Sequence, residues 1–154
     1  GLNNTRYFIN QVLNIKNTDQ NEKYNTLKER RLKTVKEDII GTWIPQNMKD
    51  YYNFTNYVFN NDGNFVADRD FKGKWYITNN IGILDKSEQK VYSDINYYNY
   101  NYDDNLFILT LTSPSFGGDY KYIFHISKNS STLSFFGNFE EKDKKYKEIN
   151  YIKQ

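Results

Sequence analysis

Phe59-Asn60-Asn61-Asp62-Gly63-Asn64-Phe65 is the stretch that decides the fold. Its Asp-Gly pair supplies the positive φ angles of a tight hairpin, and the aromatic residues on either side lie in segments that alternate apolar and polar side chains. Tyr51 to Phe59 runs into the turn and Phe65 to Arg69 is the return strand. Outward toward the N-terminus, Ile39-Ile40-Gly41-Thr42-Trp43-Ile44 keeps the same period and stops at Pro45. Toward the C-terminus come Lys74 to Thr78, Ile81 to Asp85, and Val91 to Tyr102, the last closed by Asp103-Asp104-Asn105. Leu106 to Thr112 then ends at Ser113-Pro114, and Tyr120 to Ser127 ends at Lys128-Asn129. Thr132 to Phe139 precedes a polar turn over Glu140 to Lys145, and Tyr146 to Ile152 is the final strand.

Turn residues recurring about every ten positions, with no helix expected between the strands, argue for antiparallel neighbours joined by hairpins rather than βαβ crossovers. The fold class expected is therefore mainly β, an antiparallel up-and-down barrel of about 8 to 9 strands, since closure removes exposed strand edges. An immunoglobulin-like sandwich is the runner-up, without the Cys and Trp spacing that marks such domains.

Before Ile39 the period is helical. Phe8 and Val12, flanked by Ile9, Leu13 and Ile15, form one apolar stripe. Asp19 followed by Glu22 reads as a capping box opening a second helix from about Gln20 to Asp38, with a thin apolar face of Tyr24, Leu27, Leu32 and Val35. The expected organisation is a helical segment over residues 1–38, packing on or capping a barrel domain over 39–154. The basic cluster Lys28, Arg30, Arg31, Lys33 and Lys36 reads as a solvated helix face.

The 154 residues suffice to bury one core without disulfides, and there is no cysteine to form any. A net charge of +2 gives no general attraction to nucleic acid or membrane, so neither is an expected partner. Aromatic residues reach 18% while hydrophobic residues total only 38%, so Tyr and Phe take the place of aliphatics. No run is long and apolar enough for a transmembrane helix. The start at Gly1-Leu2 reads as a chain trimmed of an export signal, which makes an exported bacterial protein, periplasmic or a cell-surface lipoprotein, the expected location.

Gly41-Thr42-Trp43 resembles the Gly-x-Trp signature that opens the first strand of lipocalins. Short bacterial lipocalin-like proteins continue with Phe-x-x-Asp-Gly-x-Phe and a second Gly-x-Trp, and this chain has Phe59 to Phe65 and then Gly73-Lys74-Trp75 in that order. The likeness covers Ile39 to Ile152. Gly118-Asp119-Tyr120 stands where lipocalins often carry Thr-Asp-Tyr. No Arg follows Arg69 to pack over the signature Trp, so this calycin-type resemblance implies that Lys145, Lys147 or Lys153 takes that place. Trp43 is expected to plug one barrel end, with Gly41 letting the chain bend closely past it.

No residue set points to catalysis, and the expectation is a protein that is not an enzyme and needs no cofactor or metal. His125 stands alone in a strand, without a second His or Cys for a metal cluster, and no Gly-x-Ser-x-Gly elbow accompanies it. Asp68-Arg69-Asp70 and Asp103-Asp104-Asn105 lack the glycine and terminal glutamate of a calcium loop and read as solvated strand ends and turns. Ser113-Pro114-Ser115-Phe116-Gly117-Gly118 lacks the Lys-Ser/Thr of a phosphate loop. Tyr97-Tyr98-Asn99-Tyr100-Asn101-Tyr102 reads as a strand with Tyr on both faces rather than as a stacking platform.

The expected function is non-catalytic binding of a small apolar or amphipathic ligand in the barrel cavity. Its lining is assigned to Tyr57, Phe59, Trp75, Ile77, Tyr97, Phe107, Tyr122, Phe124 and Phe136, with Leu109 on the same inner face. The alternative is a solid barrel whose outer Tyr and Asn-rich surface or mouth loops bind a protein or glycan.

Overall fold

In the computed structural model, residues 2–47, 56–67, 70–98, 105–137 and 147–154 are described. Helix α1 spans Leu2–Asp38. Strands β1 (Gly41–Pro45), β2 (Tyr57–Phe59), β3 (Asn64–Val66) and β4 (Lys72–Thr78) follow. A 3-10 turn at Ile81–Ile83 leads into helix α2 (Lys86–Tyr98). After it come β5 (Phe107–Ser113), a 3-10 turn at Pro114–Phe116, β6 (Gly118–Ile126), β7 (Thr132–Gly137) and β8 (Lys147–Lys153). Every strand pairs antiparallel with its neighbour in sequence, and β8 returns to β1 through Trp43↔Lys153, Ile44↔Ile152 and Pro45↔Tyr151. The molecule is a closed eight-stranded antiparallel barrel with an N-terminal helix.

By contacts the chain divides into two units, Gly1–Arg31 and Leu32–Gln154. The first is helical throughout its described residues, so the helix runs through Asn17 to Asp19 and Asp19 lies inside it rather than capping a second one. The last turn of α1 belongs to the barrel unit, where Val35 and Ile39 are fully buried beside Trp43.

The hairpin forms where its sequence directs, but with the positive φ at Gly63 alone and not at Asp62 as well. Asp62 accepts the Asn64 backbone N–H at 2.9 Å, Gly63 takes φ +86°, and Asn60 N–H closes the turn on Asn64 O at 2.9 Å. The backbone N–H and the side-chain amide of Asn64, both donating to the carboxylate, hold Asp62 below the usual aspartate range. Gly73 is required by close approach: a Cβ there would lie 1.9 Å from the Thr112 backbone oxygen.

Two segments expected as strands are not. Ile81 to Asp85 is a 3-10 turn followed by a cap, and Val91 to Tyr98 lies in α2. The helix starts where Asp85 accepts the Glu88 backbone N–H at 2.8 Å while Glu88 Oε1 accepts Asp85 N–H at 3.0 Å, a reciprocal capping box. Val91, Tyr92 and Ile95 then face the barrel's outer wall and bury Leu106, Ile108, Ile123 and Phe136 in a second apolar cluster. Asn99 to Tyr102, Asp103 and Asp104 fall outside the described residues, as do Asp68, Arg69 and Lys145.

Candidate functional site

Inside the barrel, strand alternation brings Phe59, Ile77, Phe107, Leu109 and Phe124 together as expected, joined by Phe65, Leu111, Ile126 and Leu133. Most are 0–2% exposed, so this part of the interior is a filled core rather than a cavity. Phe107 and Phe124 have ring centroids 6.1 Å apart, and Phe65 meets Phe71 edge-on at 5.2 Å. Trp75 stacks edge-on against Phe59 at 5.9 Å, and its indole N–H donates to Asn60 O at 2.9 Å, which ties the hairpin to β4.

The end where α1 enters is shut by Trp43, whose indole N–H donates to Ile39 O at 2.8 Å. Lys153 lies over this indole with Nζ 5.4 Å from the ring centre and donates to Asp38 O at 2.9 Å. Gly41, at φ +134°, makes room, because a Cβ there would meet Lys153 Cε at 3.0 Å. Of the three lysines named from the sequence, Lys153 occupies this position.

The packing loosens toward the end where β7 reaches Gly137. The last β6–β7 pair is Ile123↔Phe136, and beyond it Lys121 and Tyr122 pair, among the described residues, with β5 alone. A pocket of about 260 Å³ opens there, near the lower end for small-molecule sites. Its inner wall is Tyr57, Tyr122, Phe135, Ile149 and Tyr151, and its outer wall is Lys121, Ile123, Phe136 and the first turns of α2 through Ser87, Glu88 and Val91. It is therefore a side opening that reaches from the barrel interior to the helix on the outer face.

The inner wall is an aromatic network. Tyr57 meets Phe135 at 5.6 Å and Tyr151 at 5.3 Å, and Phe135 lies 5.3 Å from Tyr122 and 5.4 Å from Tyr151, most at steep interplanar angles. Burial pushes the Tyr122 hydroxyl above the ordinary phenol value, more than its hydrogen bond with Tyr57 lowers it. Tyr122 thus keeps its proton at neutral pH. On the outer wall, Lys121 Nζ donates to Ile83 O at 2.9 Å, and Ser87 donates to Asp85 at 2.7 Å.

Of the nine residues assigned to the lining, Tyr57, Tyr122 and Phe136 border this pocket. Phe59, Ile77, Phe107 and Phe124 belong to the packed interior, and Trp75, partly buried, packs against it. Two placements correct the sequence reading. Tyr97 is on α2 and 78% exposed, because its segment is a helix and it lies opposite the buried face. Phe136 faces the α2 cluster rather than the barrel axis, since its neighbour Phe135 takes the inward position opposite Phe124. Phe135, Tyr151, Lys121 and Ser87 were not singled out from sequence, although the inward parity of Leu133 and the Asp85 capping box carry the signal for them.

His125 Nδ1 lies 3.3 Å from Asn105 O and stays an ordinary strand residue. Among the described residues no group of acidic, His or Cys side chains is placed to hold a metal ion. No described helix is long and apolar enough to cross a membrane. The comparisons with protein-family models, curated proteins and solved structures find no match.

Proposed function

We propose that this chain is a lipocalin-like barrel that binds a small amphipathic ligand without catalysing a reaction, as part of an exported bacterial protein. The observation that carries the binding reading is the side pocket, where tyrosine rings supply apolar surface and their hydroxyls offer hydrogen bonds. The family likeness draws support from Gly41, Trp43 and Lys153, which together close the barrel end as the resemblance implies. Such a site binds by enclosing apolar area and fixing one polar end, and needs no group that reacts.

The test is titration of the purified chain with a neutral naphthalene-type fluorescent dye, alongside mass spectrometry of its organic extract. One saturable site is expected, lost in Ile149→Trp, whose added bulk fills the pocket. A dye signal that never saturates, or that Ile149→Trp leaves unchanged, refutes the pocket and favours the solid-barrel alternative in which mouth loops or outer surface hold a protein or glycan.

A further inference from the structure

The charges on the two sides of the pocket are not equally served. Lys121 is partly buried on β6, and its ammonium has one partner, the neutral carbonyl of Ile83 at 2.9 Å; no ion pair forms with any described carboxylate. A lysine carries three donors and a full charge, so a single carbonyl leaves most of its capacity unused in a partly desolvated place. Glu88, the acid on the same wall, also has one side-chain bond, with a helix end behind it. Its Oε1 accepts Asp85 N–H at 3.0 Å, and it sits in the first turn of α2, where the unpaired backbone N–H groups favour negative charge. The two lining charges balance in number, and Lys121 is the one with hydrogen-bond donors still to offer a ligand.

The apolar side limits size. Tyr57, Phe135 and Tyr151 form the inner wall, and behind them Phe59 and Phe124 fill the barrel to 1% exposure or less. A ring or a short chain fits against these faces, whereas a long chain has nowhere to continue. The geometry points to a small apolar carboxylic acid, bound as its anion through the side of the barrel, with the carboxylate on Lys121 and the body against Tyr57, Phe135 and Tyr151. This inference rests on the binding reading above and adds the sign of the ligand's charge, its length and its point of entry.

The experiment uses 3-phenylpropanoate, 3-phenylpropanol and 3-phenylpropylamine, which share one body and differ in the polar end, each measured by displacement of the neutral dye from the full chain. The acid is expected to bind about fivefold or more tightly than the alcohol, with the amine weakest, and added salt is expected to shrink the difference. Lys121→Gln keeps a donor for Ile83 O and is expected to equalise acid and alcohol. Lys121→Arg is expected to keep the preference. Equal binding of acid and alcohol to the parent protein overturns the anion assignment and leaves the pocket standing. Equal loss of all three ligands in Lys121→Gln shows that Lys121 only shapes the wall and likewise overturns it. Failure of all three ligands and of the dye to bind refutes the pocket itself.

Discussion

Replacing Phe124 with alanine separates a filled interior from an open one. Its ring is fully buried, 6.1 Å from Phe107, and its backbone pairs with Phe107 on one side and Phe135 on the other. Loss of the buried ring removes about 1.5–3 kcal/mol of transfer free energy. The aromatic pair with Phe107 adds about 0.5–1.5 kcal/mol, and strands fixed on both sides prevent collapse of the cavity left behind. The expected loss is about 3–5 kcal/mol, the usual range for Phe→Ala in a close-packed core. With a urea dependence of about 2 kcal/mol per molar for a domain of this size, the unfolding midpoint falls by roughly 2 M. Equilibrium urea unfolding followed by far-UV circular dichroism reads this directly. The dye affinity of the folded fraction is expected to stay within about twofold, because Phe124 does not border the pocket. A loss below about 1 kcal/mol, or a large change in dye affinity without one, refutes the division between core and pocket.

Gly73→Ala places a methyl against the Thr112 carbonyl, so the β4–β5 ladder has to part locally; a loss of about 2–3 kcal/mol in the same urea assay is expected. Lys153→Met keeps the aliphatic packing but removes the cation over Trp43 and the bond to Asp38 O, with an expected loss of about 1–2 kcal/mol and a changed Trp emission spectrum. The N–H of Glu88 and the hydroxyl of Ser87 hold the Asp85 carboxyl below the ordinary aspartate value. Because the folded value is the lower one, its stabilising contribution is present above the unfolded value near pH 4 and is lost as pH falls through the folded value. Asp85→Asn, which keeps a capping oxygen, is expected to flatten thermal stability against pH in that acidic window; an unchanged profile counts against the assignment.

The barrel was legible because its turns carry their own chemistry. Asp62-Gly63 fixed one hairpin, and Phe107 to Thr112 and Tyr120 to Ile126 read correctly as strands. The failure at Val91 to Tyr98 has a physical cause. Val, Ile and Tyr favour strands intrinsically, yet the i, i+1, i+4 spacing of Val91, Tyr92 and Ile95 matches a helix laid on a sheet, and Asp85 with Glu88 caps it. That missed helix also explains the wrong parity. Once α2 covers the outer face, Leu133 to Phe136 are all buried and the inward and outward positions both become apolar, so alternation no longer tells Phe135 from Phe136. The pocket was half legible for the same reason: Tyr57 and Tyr122 follow from strand alternation, while Ser87, Glu88 and Lys121 enter only through the helix.

The seam between β1 and β8 has a consequence for how the chain is made. Seven of the eight strand pairings join segments that leave the ribosome one after another, whereas Pro45 waits for Tyr151. Until translation delivers that partner, the nascent sheet carries two open edges, β1 with Trp43 and Ile44 and β7 with Phe135 and Phe136, the surfaces most prone to mispair with another chain. Closure is then a late event with the longest loop to gather, and its entropic cost exceeds that of any of the seven sequential pairings before it.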